Sequence, residues 1–172
     1  MSKVISVKLS TQSISKAIKE VEKYKEELIR KEKVFLQELA YLGVKEASIR
    51  FTSAIYDGVN DSTVDAFATD NGYRIEASGQ AVAFIEFGSG VYHNSGDPYP
   101  NPRPAGIVGI GEYGQGKGKR RAWFYRGQPG SNGEVQPSGF VKTRGNPAAM
   151  PMWYATEEMR NSIIRIAREV FG

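Results

Sequence analysis

The sequence predicts an α+β domain in which N-terminal helices and a C-terminal helix pack on a small antiparallel sheet, with a long Gly/Pro-rich excursion and a second hairpin. Three observations predict it. Apolar residues recur at helical spacing near both ends of the chain, strand-like runs flank an Asn-Gly turn in the middle, and Gly and Pro crowd into one later segment. Helices and strands do not alternate as a doubly wound parallel sheet requires, and no internal repeat is visible. With 172 residues, 40% of them hydrophobic, the chain reads as one domain spanning residues 1–172 that can bury a core without covalent staples.

Residues 4–9 alternate polar and apolar side chains as a short strand would. Ser10, Thr11 and Ser13 then offer N-caps to a stripe of Ile14, Ala17, Ile18, Val21, Tyr24, Leu28 and Ile29. Arg30-Lys31-Glu32-Lys33 interrupts the stripe before Leu36, Leu39, Ala40, Gly43, Ala47, Phe51, Ala54 and Ile55 resume it. The expectation is two helices or one bent helix, with a break or a packing partner from another chain, because the pattern outruns the usual globular helix. Residues 63–69 and 73–78 flank Asp70-Asn71-Gly72, a hairpin signal. Residues 81–87 form a compact apolar run with one acid, Glu86, too short to divide between strand and helical turn. Ala122-Trp123-Phe124-Tyr125 and Phe140-Val141-Lys142-Thr143 read as two strands joined by a Gly/Pro-rich loop. After Pro151, Met152, Ala155, Met159, Ile163, Ile166, Ala167 and Val170 define the terminal helix.

The excursion is unusual in composition: residues 88–151 hold 14 of the 19 Gly and all eight Pro. They also hold all of the excess positive charge, with a balance of +5 against −1 for residues 1–87 and zero for residues 152–172. The basic character therefore belongs to one segment of an otherwise near-neutral chain.

Composition excludes several chemistries. Without Cys there are no disulfides or thiolate zinc sites, and the single His93 cannot supply a multi-histidine metal centre. His93 lies among Tyr92, Asn94, Ser95 and Asp97 with no marked nucleophile nearby, so a turn or interface role is expected. Gly109-Ile110-Gly111-Glu112-Tyr113-Gly114 matches a dinucleotide fingerprint by letter, but Gln115-Gly116-Lys117-Gly118-Lys119 would not start the helix that binds the pyrophosphate. The overlapping stretch ending at Lys117 matches a phosphate loop, yet Gly118 stands where a Ser or Thr must hold magnesium. No cofactor and no catalytic residue is expected. The start of the chain lacks the continuous apolar core of a signal peptide and no run reaches spanning length, so the expectation is a cytoplasmic product without a membrane partner.

Two features point to binding. Lys117, Lys119, Arg120, Arg121 and Arg126 surround Trp123, Phe124 and Tyr125, a mixture of cations and aromatic faces that suits DNA or an acidic protein partner. Glu86 at the end of an apolar run needs Arg or backbone N–H groups, from its own chain or across a subunit boundary.

Ala83-Phe84-Ile85-Glu86-Phe87-Gly88-Ser89-Gly90 resembles the Val/Ile-Glu-Phe/Tyr-Gly-Thr segment of the head–tail joining proteins, also called tail-completion or minor neck proteins, of long-tailed phages. Thr143-Arg144-Gly145-Asn146-Pro147-Ala148-Ala149-Met150-Pro151-Met152-Trp153-Tyr154-Ala155 is similar to that family's Thr-x-Gly and Pro-rich approach to its last helix. The element order agrees over nearly the whole chain. Ser89 replaces the usual Thr but keeps the hydroxyl, Met152-Trp153 replaces Phe-Leu but keeps a large apolar anchor, and the excursion is long. The resemblance implies a non-enzymatic virion protein, assembled in the host cytoplasm into a homo-oligomeric ring of six or twelve copies. That ring would join the head connector or stopper to the tail terminator or tube, with double-stranded DNA passing through without sequence preference. On this reading Glu86, Phe87, Gly88, Tyr92, Trp123, Tyr125, Met152 and Trp153 face subunits or partners, and the cations Lys117, Lys119, Arg120, Arg121 and Arg126 face DNA or acidic partners. The alternative is a nucleic-acid-binding module of another kind that uses the same basic cluster.

Overall fold

The computed structural model describes residues 8–88, 122–130, 133–146 and 148–172, with the Trp123 side chain also left aside. Helix α1 spans Thr11–Ser53, strands β1 and β2 span Thr63–Thr69 and Gly72–Ser78, and the short helix α2 spans Val82–Phe87. Strands β3, β4 and β5 follow at Trp123–Tyr125, Glu134–Val135 and Val141–Thr143, and helix α3 at Pro151–Phe171 closes the order. The α+β class with N-terminal and C-terminal helices is as the sequence predicts.

Ser10 caps α1: its Oγ accepts from the Ser13 backbone N–H at 3.3 Å, while Ser13 Oγ accepts from Lys8 N–H at 2.9 Å. The helix then runs unbroken through residues 30–33, so the two-helix expectation is corrected to one continuous helix of about 65 Å. Arg, Lys and Glu are good helix formers, and a loss of apolar periodicity is not a loss of helical propensity. Further along, Ala40, Gly43, Ala47 and Phe51 are buried. Small residues there let α3 and β2 approach closely: a Cβ on Gly43 would lie 2.5 Å from both Ile75 Cδ1 and Met159 Sδ.

The first hairpin pairs β1 with β2 from Thr63↔Ser78 to Thr69↔Gly72. Asp70 and Asn71 therefore form the turn, and Gly72, at φ 152°, is the first strand residue rather than part of a three-residue connection. The 81–87 run resolves as helix α2. The second sheet has the order β3-β5-β4, all antiparallel, so the expected two-strand hairpin gains a third strand on the far edge of β5. Gln136 N–H donates to Phe140 O at 2.8 Å and closes the β4–β5 turn.

The core joins Ala47 and Phe51 of α1 to Ala81, Ile85 of α2 and Ala155 of α3, with Val64, Ala77, Ala149 and Met152 packed around it. Along α3 the buried positions are Pro151, Ala155, Ser162 and Ile166. Ile163, which the apolar stripe includes, is exposed, and Ser162 takes the inward place with its hydroxyl donating to Glu158 Oε1 at 3.3 Å. A hydroxyl satisfied on its own helix can be buried at small cost, which hydropathy spacing does not register.

Candidate functional site

The two segments that carry the sequence resemblance meet in space, and Glu86 joins them. Ile85, Glu86 and Phe87 are buried at the end of α2. Glu86 Oε2 accepts the Met152 N–H at 2.8 Å and Oε1 accepts the Trp153 N–H at 3.2 Å. These are N–H groups of the first turn of α3, which have no partner inside a helix. Met150, the residue before α3, sits in the left-handed region (φ 52°, ψ 46°) and makes no side-chain cap, and Pro151 begins the helix. Glu86 therefore caps α3 from another element, with its charge at the positive end of the helix dipole. Backbone N–H groups, one of the two kinds of partner expected for this carboxylate, are supplied by its own chain.

The contact extends on both sides. Ala149 N–H donates to Ile85 O at 2.9 Å and Asn146 Nδ2 donates to Phe84 O at 2.9 Å. Asn146 is 1% exposed, and neighbouring Thr143 accepts the Gly145 N–H at 2.9 Å through its Oγ1. Gly145 has φ 88°, a conformation that favours glycine. Met152 packs against the core cluster, while Tyr154, two residues on, lies with its ring centre 4.4 Å from the Arg50 guanidinium carbon.

Beside this junction lies a cavity of about 220 Å³ lined by Tyr56, Asp57, Gly58, Phe84, Tyr125, Thr143 and Asn146. Tyr56 stacks on Phe84 with centroids 6.5 Å apart. The Tyr125 hydroxyl lies 3.1 Å from Asp57 Oδ1 and 3.1 Å from Gln128 O, which ties β3 to the chain leaving α1. Burial pushes the Tyr125 hydroxyl up from its ordinary range, and the Asp57 carboxylate adds to the shift. Tyr56 is raised in the same direction by burial first, then by Asp61 and Asp57. Asp57 Oδ2 is buried with no hydrogen-bond partner among the described residues. The Asp61 carboxylate accepts the N–H groups of Gln80 at 2.8 Å and Ala81 at 2.9 Å, and these bonds hold its pKa below the usual value.

Of the residues the sequence selects, Glu86, Phe87, Gly88, Tyr125, Met152 and Trp153 fall at or next to this junction. Arg126 lies apart from it, exposed, with its guanidinium carbon 5.0 Å from the Phe140 ring centre. Trp123 pairs with Thr143 through its backbone. Ser89, Gly90, Tyr92, His93, Lys117, Lys119, Arg120, Arg121, both glycine-rich stretches and most of the 4–9 strand lie outside the described residues. Asp57 and Asp61 contribute from the chain that follows α1 and Asn146 from the Pro-rich segment of the resemblance, and none of the three is among the site residues that the sequence selects. Among the described residues no group of three or more His, Cys, Asp or Glu side chains could hold a metal, and no helix is long and apolar enough to cross a membrane. The arrangement braces a helix start against a short helix and a second sheet. No family model, curated protein or solved structure matches the chain.

Proposed function

We propose that this chain is a structural protein of a phage neck, which forms a ring joining the tail to the head connector with DNA passing through it. The observation that supports the reading is the Glu86 contact. The glutamate-glycine segment and the Pro-rich helix start are far apart in sequence, yet one hydrogen-bonded junction joins them. Such a brace suits a part that must hold its shape within an assembly, and it needs no cofactor. In this reading the partners are further copies of the chain, the connector or stopper below the head, the tail terminator or tube, and non-specific double-stranded DNA. The site of action is the virion.

Purified particles from the host that carries this gene provide the test. The chain is expected in those particles by mass spectrometry, and particles made with the gene interrupted are expected as separate heads and tails. Its absence from purified particles, or normally joined tails without it, would overturn the proposal.

A further inference from the structure

Among the described residues, the first half of α1 as far as Leu28 has no packing partner, and only its end, at Ile29, Glu32 and Lys33, borders the tip of the first hairpin. Helix α3, about 32 Å long, packs along the second half of α1, and this contact reaches back to Phe35, whose ring lies 5.9 Å from that of Phe171 near the end of α3. Ahead of Phe35, residues 11–34 continue as helix for about 36 Å. Ile14, Ile18, Val21, Tyr24, Leu28 and Ile29 are all at least 40% exposed there. A helix of this length without tertiary contacts is marginal in water, because its stability comes mainly from packing one face.

We infer that residues 14–28 of α1 form a pairing surface for the same segment of a second copy of this chain. The spacing carries the argument. Ile14, Val21 and Leu28 recur every seven residues, with Ala17 and Tyr24 in the intervening seam positions, and Phe35 continues the same series into the contact with α3. A repeat of seven keeps a seam facing a partner helix of the same period, and the exposed Ile18 and Ile29 widen the seam on one flank. The described residues contain one such unpaired seam, and a second copy supplies another. The seam is uncharged over these five layers and ends at Lys31, while the four Lys and four Glu of residues 14–28 balance on the rest of the helix. The surface is continuous with the α1–α3 contact, so the partner helix extends a face that the chain already uses.

This inference does not depend on the neck reading, since it needs only a second copy. The full chain contains no Cys, which makes disulfide trapping specific. Under mild oxidation Val21→Cys is expected to give a disulfide-linked dimer, and Lys23→Cys, on the opposite face, is not. Val21→Cys combined with Leu28→Glu is expected to lose most of the cross-linked product. By sedimentation, wild type is expected at twice the chain mass of 19.0 kDa or a higher multiple, and Val21→Glu/Leu28→Glu at a lower multiple with the thermal transition of the body retained. Failure of Val21→Cys to cross-link, equal cross-linking at Lys23, or an unchanged mass for the double glutamate variant would overturn the inference. A wild-type monomer would do the same and assign the stripe to another protein or to lipid. Absence from virions together with cross-linking at Val21 would remove the neck reading and leave this one standing.

Discussion

At the scale of single residues, the chain places charge where backbone N–H groups lack partners. Glu86 is 4% exposed and serves two N–H groups of α3, so removing its carboxylate leaves buried donors bare. Glu86→Ala is expected to cost about 2–3 kcal/mol of unfolding free energy in a urea titration. Glu86→Gln keeps one acceptor without the charge and should lose less than Ala. Equal stability of all three proteins would show that the cap contributes nothing. Asp61 works in the same way on Gln80 and Ala81, and here the pH dependence follows from the sign of the shift. Its folded pKa lies below the unfolded one, so its contribution is complete above the unfolded value and is lost as pH falls through the folded value. Asp61→Asn should therefore be less stable than wild type at neutral pH and converge on it in acid. A stability gap that is independent of pH would contradict the assignment.

At the scale of elements, Gly43 decides how closely α1 meets α3 and β2. The two atoms that a Cβ would strike are the ends of flexible side chains, Ile75 Cδ1 and Met159 Sδ. Gly43→Ala should stay within about 1 kcal/mol of wild type in denaturant unfolding, because displacing those ends offsets the gain in helix propensity. Gly43→Leu cannot be absorbed in this way and should destabilise by about 3 kcal/mol, since the added atoms meet a packed face. An equal effect of the two would show that the approach is not close. The same stretch shows what the sequence discloses. Ala40, Gly43 and Ala47 read correctly as a continuation of the stripe, and their spacing carries both the helix and its buried face. The capping function of Ser10 was also legible, because N-caps depend on neighbours three residues away. The continuity of α1 across residues 30–33 was hidden, since periodicity reports which face is covered and not where the backbone stops. The β3-β5-β4 order and the burial of Ser162 depend on non-local partners that no window of sequence contains. Glu86 shows both sides. Its need for N–H donors could be read from an acid in an apolar run, but the identity of the donors, about 66 residues later, comes from the fold.

At the scale of the whole molecule, stability is distributed unevenly along one continuous helix. Residues 40–51 of α1 lie in the core with α2, α3 and the first sheet, whereas residues 11–34 hold an apolar seam in the open. The backbone is helical in both halves, so the difference lies in packing alone. Native-state hydrogen exchange separates the two because local opening follows local contact density. In the Val21→Glu/Leu28→Glu variant, amides of residues 14–30 should exchange at least about tenfold faster than in wild type, while those of residues 40–51 keep their protection. If the seam is covered by a second copy, wild-type protection of residues 14–30 should also rise with protein concentration, and that of residues 40–51 should not. Equal protection along α1 in the variant, unaffected by concentration in wild type, would mean that the free half is held by the body itself. The helix would then be one cooperative unit rather than an anchored half and a pairing half.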